Sequence, residues 1–154
     1  MTDTRTIELW FDALNTVWAV DDGRRRTVRT YRYNEFPDAL NLGEGPAAIN
    51  YAVPIKVTYG APGSSISTII LWQGQTELHL TADVAKSNLG YIHSFYGRIL
   101  VSAKANITLG GLVQYFVLEE DNPMVPEVLQ YANEPPHHAI IIRWTVKQDL
   151  SGQI

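Results

Sequence analysis

The chain contains no cysteine. That excludes a disulfide framework, a thiolate metal site and a cysteine nucleophile, and it fits synthesis inside the cell. Charge is sparse. Only 18% of residues are charged and the formal net charge is -4, which argues against a surface that binds nucleic acid all over. No apolar run approaches the roughly 20 residues of a membrane-spanning helix, and the opening Met1-Thr2-Asp3-Thr4-Arg5-Thr6 has no leader pattern, so no membrane partner is expected. The phosphate-cradling spacings GxxxxGK[ST] and GxGxxG do not occur, nor does the nucleophile elbow GxSxG, nor the HxH or HExxH spacing of paired metal ligands. The expectation is therefore a protein without catalytic residues, metal site or cofactor.

What is present is a core. At 154 residues with 45% hydrophobic content, the chain is long and apolar enough for one globular domain over 1–154. Ile7, Trp10, Phe11, Leu14, Val17 and Trp18 recur at three- and four-residue spacing and predict an amphipathic helix over 5–19, with Asp3 or Thr4 as its cap. Asp21-Asp22-Gly23 ends it. Thr27 to Tyr33 reads as a solvent-facing strand, because burying its arginines would be costly. Residues 36–52, with Pro37, Gly43, Gly45 and Pro46, read as a long irregular connection. Val53, Ile55, Val57 and Tyr59 alternate as a half-buried strand, and Gly60 to Ser65, including Gly63 and Ser64, reads as a loop. Ile66 to Trp72 and Gln75 to Thr81 are strand-like, with a bend or bulge expected at Gly74.

A second helix follows over 88–104, with Leu89, Ile92, Tyr96, Ile99, Leu100 and Ala103 as its inner stripe and Gly90 and Gly97 as places of close approach. Leu109-Gly110-Gly111 reads as a connection through left-handed or tight conformations. Leu112 to Leu118 and Val125 to Tyr131 are strand-like and joined by the acidic turn Glu119-Glu120-Asp121. The final strand, 138–147, puts Ile140, Ile142, Trp144 and Val146 on one face and Ile141, Arg143, Thr145 and Lys147 on the other. Helix, strands, helix, strands is not the alternation of a doubly wound sheet. It predicts an α+β fold, a mainly antiparallel sheet with two helices packed on one face.

Few residues invite chemistry. His137 and His138 are adjacent and point to opposite faces of a strand; His138 shares parity with Ile140 and reads as a core histidine. A hydrolytic reading would need His79, His93 or His138 to converge with Glu77 or Asp83. Trp10 and Trp144 fall on inner faces, and Trp72 is a candidate interface residue. The strongest candidate is cationic. Arg24, Arg25, Arg26, Arg29 and Arg32 are five of the eight arginines, and Tyr31 and Tyr33 lie among them. They are read as a subunit or DNA contact, with Glu119, Glu120 and Asp121 as a distant acidic contact. Pro37, Asp38, Gly43, Gly45, Gly60, Gly63 and Ser64 are read as partner-facing loops.

Several stretches together resemble the tail-terminator, or tail-completion, proteins that join head to tail in long-tailed bacteriophages. They are the helix Ile7 to Trp18; the loop Glu35-Phe36-Pro37-Asp38-Ala39-Leu40 before Pro46-Ala47; Gln75-Thr76-Glu77-Leu78-His79-Leu80 ahead of the second helix; Ile107-Thr108-Leu109-Gly110-Gly111 after it; and the closing His137-His138-Ala139-Ile140-Ile141-Ile142-Arg143-Trp144-Thr145-Val146. The resemblance implies a small structural domain, made in the host cytoplasm and resident in the virion, that assembles as a six-fold ring of itself. One face of the ring would meet the tail tube protein and the other the head-completion (neck) protein, with DNA passing through the lumen. The alternatives are another neck or minor tail protein, or a nucleic-acid-binding module built on the Arg24–Arg32 strand.

Overall fold

In the computed structural model residues 5–21, 27–33, 35–60, 68–80 and 89–150 are described. Helix α1 (Arg5–Trp18) is followed by an extended segment and a short 3-10 turn (Leu42–Glu44), then by β1 (Ala47–Thr58) and β2 (Ile69–His79). Helix α2 (Leu89–Ala105) separates these from β3 (Tyr115–Leu118), β4 (Met124–Leu129) and β5 (His137–Asp149). The five strands make one antiparallel sheet. β2 lies between β1 and β5, and β3 and β4 run one after the other along the far side of β5. The acidic segment is thus no hairpin turn. It interrupts a single edge strand between its β3 and β4 halves. The fold is α+β, with both helices on one face.

The core follows from the two periodicities. Trp10, Phe11, Leu14, Val17 and Trp18 of α1 and Tyr91, Phe95, Ile99 and Ala103 of α2 are buried against Leu78, Phe116, Ile140, Ile142, Trp144 and Val146 of the sheet. Each large apolar side chain withdrawn from water this way contributes about 1.5–3 kcal/mol. The inner stripe of α2 is rotated from the expected one. Tyr91 and Phe95 are inside, Ile92 and Tyr96 flank them, and Leu100 is half exposed. Trp72 is partly buried and packs against the core. It packs at 5.5 Å on Trp10 and donates its indole N–H to the buried Gln148. Trp10 also meets Trp144 edge-on at 6.2 Å.

β2 runs unbroken through Gly74, where a bend or bulge was expected. The glycine is needed for another reason: a Cβ there would lie 2.2 Å from the Trp144 ring, so its absence lets the indole lie across β2. The bulge falls in β1 instead, between Pro54 and Lys56. β1 also begins earlier than its alternating stretch, because Ala47, Ala48 and Ile49 are buried on both sides and show no alternation. Thr27 to Tyr33 forms only isolated bridges, Asp21 to Thr27 and Arg29 to Ala47, not the solvent-facing strand expected of it. The Leu109 to Gly111 connection does take left-handed backbone, at φ 48, 73 and 85, and it delays β3 to Tyr115.

A directed line of polar groups crosses the helix-covered face. The Trp144 indole donates to Thr76 Oγ1 at 2.9 Å, and the Thr76 hydroxyl donates to Asn50 Oδ1 at 2.6 Å. The Asn50 amide donates to Asn15 Oδ1 at 2.7 Å, and the Asn15 amide donates to the Tyr31 carbonyl at 2.7 Å. β5, β2, β1, α1 and the segment after α1 are joined in that order, and each group meets its complement. Thr76 is fully buried and serves twice. Thr76→Val keeps its shape and leaves the Trp144 donor and the Asn50 acceptor without their partner, so unfolding in urea is expected to show a loss of about 1–3 kcal/mol, while Thr76→Ser stays near the parent. A valine variant as stable as the parent would contradict this role.

Candidate functional site

The sheet face away from the helices is built as transverse rows. One runs Ala47, His79, Ala139, Glu127, and the next Ile49, Glu77, Ile141, Val125. Then comes Tyr51, Gln75, Arg143, and after it Val53, Gln73, Thr145, Val117. Only the end with His79 is covered. Leu40, Ala47, Ile49 and Tyr131 form a second small core there, with Tyr31 and Leu42 against it, and the Tyr131 hydroxyl donates to the Pro37 carbonyl.

Under that cover two histidines meet. His79 Nδ1 lies 2.5 Å from His137 Nε2, His137 Nδ1 lies 3.1 Å from the Pro135 carbonyl oxygen, and His79 Nε2 lies 3.1 Å from Glu77 Oε2. The proton positions follow from what each partner can do. The Pro135 carbonyl only accepts, so His137 Nδ1 carries a hydrogen. The neutral His137 ring then presents its Nε2 lone pair to the His79 Nδ1–H. His79 Nε2 and the Glu77 carboxyl complete the line as a hydrogen-bonded pair. Tyr51 hydrogen-bonds the same carboxyl, and its hydroxyl pKa is pushed up to about 12 by burial and by the Glu77 charge. The result is a relay from the rim residue Tyr51 through Glu77 and His79 to His137, the two histidines being buried.

Glu77 and His79 are adjacent on one strand face, as the alternation of β2 indicates, but the partner is His137, not His93 or His138. His138 is half-buried, because at this end of β5 the cover lies on the other face. His93 is exposed against Tyr96, and Asp83 lies outside the described residues. Tyr51 and Tyr131 were not singled out by the sequence; Tyr51 shares a sheet face with Glu77, and Tyr131 lies in the loop before β5. Every ring nitrogen of His79 and His137 is engaged within the chain. Among the described residues no set of three or more His, Asp or Glu side chains is arranged to hold a metal.

Arg24, Arg25 and Arg26 lie outside the described residues, as do Gly63 and Ser64. Arg29 is turned inward. Its Nη2 donates to the Leu40 carbonyl, to that of Asn41 at 2.9 Å and to that of Gly45 at 2.9 Å, and Glu44 stands 3.9 Å from Nη1. It holds the turn that includes Gly43 together, with Asn41 left-handed at φ 49 and Gly45 at φ 126. Tyr33 meets Phe11 edge-on at 5.1 Å and stays 46% exposed, while Tyr31 is partly buried against the second core. Arg32, Asp38 and Gly43 are exposed, and Gly60 is half-exposed. Pro37 is tied down by Tyr131.

The acidic segment is only partly solvated. Glu119 accepts from Gln73 at 3.3 Å and from Thr145 at 3.4 Å, reaching across β5, while Glu120 and Asp121 are exposed. Open depressions mark the surface. One of about 310 Å³ is bounded by Tyr51, Val53, Gln73, Gln75 and Arg143. Another, about 490 Å³ and largely apolar, lies on the outer side of α2 between Val20, Gly97, Val101 and Ala105. Among the described residues nothing lies within 4 Å of where a Gly97 Cβ would stand, and Gly97 lines this depression.

No protein-family model matches the chain, and no curated protein matches it. Among the described residues no helix is long and apolar enough to cross a membrane.

The relay carries a pH signature. Burial, and to a lesser extent the neighbouring His79, hold the His137 imidazole below its ordinary value of 6.5, against the opposing pull of the Pro135 carbonyl and of Glu134 and Glu77. The unfolded chain therefore binds a proton at a pH where the folded chain does not. Stability is expected to be full above 6.5 and to fall as pH drops through the interval down to the lowered folded value. Urea midpoints taken from pH about 7.5 to about 5.5 check this; His137→Gln is expected to flatten the dependence. A parent midpoint that does not move over that range would count against the assignment.

Proposed function

We propose that the chain is a structural virion protein that forms a ring at the head-proximal end of a phage tail. It caps the tail tube and joins it to the head-completion protein. The observation that carries this reading is the element order α1, β1, β2, α2, β3, β4, β5 with both helices on one face of the sheet, the arrangement implied by the resemblance over Ile7 to Trp18, Gln75 to Leu80 and His137 to Val146. The polar groups support it. Glu77, His79 and His137 are engaged with one another between β2 and the start of β5, and Arg29 holds the turn at 40–45, which is scaffold work. The surfaces left open suit contact with other proteins: the apolar depression on α2, with Val101 72% exposed, and the sheet edges. In this reading the protein resides in the neck of the virion, and DNA passes through the ring.

Native mass spectrometry across concentration and salt tests it. A six-fold ring, or a monomer that closes into one when tail tubes are added, is the expected result. A chain that stays single with tubes and binds DNA with steep salt dependence would overturn the reading in favour of a nucleic-acid-binding module.

A further inference from the structure

The two edges of the sheet differ in chemistry. On the β1 side, Tyr51, Val53, Ile55, Val57 and Tyr59 are all more than a third exposed, with Val53 at 59% and Tyr59 at 78%. Among the described residues β1 pairs with β2 on one side and, on the other, only Ala47–Ala48 is covered, by the Arg29 backbone. From Gly45 to Thr76 the sequence has one charged residue, Lys56, and the flanking segment supplies Arg29 and the exposed Arg32. On the β3–β4 side, Val117 is 43% and Val128 62% exposed. Between Lys104 and Arg143 every charged residue is acidic: Glu119, Glu120, Asp121, Glu127 and Glu134. The Phe116 amide is satisfied by the Ile107 carbonyl, and no other strand borders β3 or β4 outside β5 among the described residues.

A long, apolar, unpaired edge is a template for another strand. Pro54 and the adjacent bulge restrict indiscriminate pairing, so a specific partner is required. Strand directions alternate across β1, β2, β5 and β3–β4, because each pair is antiparallel. Two copies in the same orientation therefore bring β1 of one beside β3–β4 of the next in antiparallel sense, continuing the sheet. Val53 and Val117 end the same transverse row, so they are the residues such a continuation brings together. Like-edge pairing of two β3–β4 edges would oppose acid to acid. Unlike-edge pairing in the same row register sets Lys56 opposite Tyr115, and the flank of β1 beside Ala47, which carries Arg29 and the exposed Arg32, toward Glu127 at the end of the Ala47 row.

We infer that the β1 edge of one copy is occupied by the β3–β4 edge of a second copy, a head-to-tail contact that propagates from subunit to subunit. The inference deepens the ring reading and rests on it for its setting. It assigns to the acidic segment and the cationic flank the two halves of one subunit interface.

The absence of native cysteine makes the test clean. Val53→Cys and Val117→Cys both lie at exposed positions. Mixed together, with a short thiol cross-linker, the two single variants are expected to give dimers. The double variant is expected to give a ladder, and each single variant alone to stay uncross-linked. Self-cross-linking of Val53→Cys alone would show a like-edge dimer and overturn the inference, as would absence of cross-links both free in solution and on tail tubes. If rings form by native mass but the ladder does not, the edge contact fails and the ring reading stands. If the ladder forms but neither closes nor seats on tail tubes, the edge contact stands and the tail reading fails.

Discussion

The line of hydrogen bonds from Trp144 through Thr76, Asn50 and Asn15 to the Tyr31 carbonyl is the constraint on which the rest of this fold depends. A sheet packed on helices by apolar contact alone can slide, since area is indifferent to register. Here each donor has one acceptor in reach, and a slip of one residue would strand several buried polar groups at once. The line fixes β5, β2 and β1 to one another and to α1. It delivers the chain after α1 to the edge of β1, where Arg29 takes over.

From that point the two halves of the 31–46 segment are held by different physics. Arg29 gathers the Leu40, Asn41 and Gly45 carbonyls around its Nη2. Tyr131 and Glu134 reach in from the loop before β5, the first to the Pro37 carbonyl and the second to the Leu40 amide. Beneath both lies the Glu77–His79–His137 relay. The face of the sheet away from the helices is therefore closed at one end and open at the other, and residues that resemble site chemistry are the struts of the closure.

The elements with a strong period were legible before the structure was seen. The α1 stripe, the alternation of β5 and the left-handed glycines after α2 stand where the residues put them. What was not legible depends on the third dimension. Arginines from 24 to 32 look like a solvent-facing strand because a cation row is costly to bury, yet Arg29 is half-buried, with three carbonyls converging on its Nη2 to offset much of that cost. His138 has core parity, but His137 is the buried one, since which face is covered at a strand end depends on a distant loop. The α2 stripe shifted because Tyr91 and Phe95 outweigh the aliphatic residues beside them. The gap between β3 and β4 reads as a turn in any one-dimensional pattern, and only pairing with β5 shows the halves to be collinear.

Closing one end of a face and leaving most of both sheet edges without a neighbouring strand among the described residues gives a unit that is incomplete as a surface. The central claim is that this incompleteness is resolved by further copies of the same chain. Amide hydrogen exchange before and after assembly tests it most directly. The account predicts new protection at Tyr51–Thr58 and at Val117–Val128 together, with the already paired β2 and β5 unchanged. Protection confined to one edge, or to the outer side of α2 with both edges still exchanging freely, would contradict it.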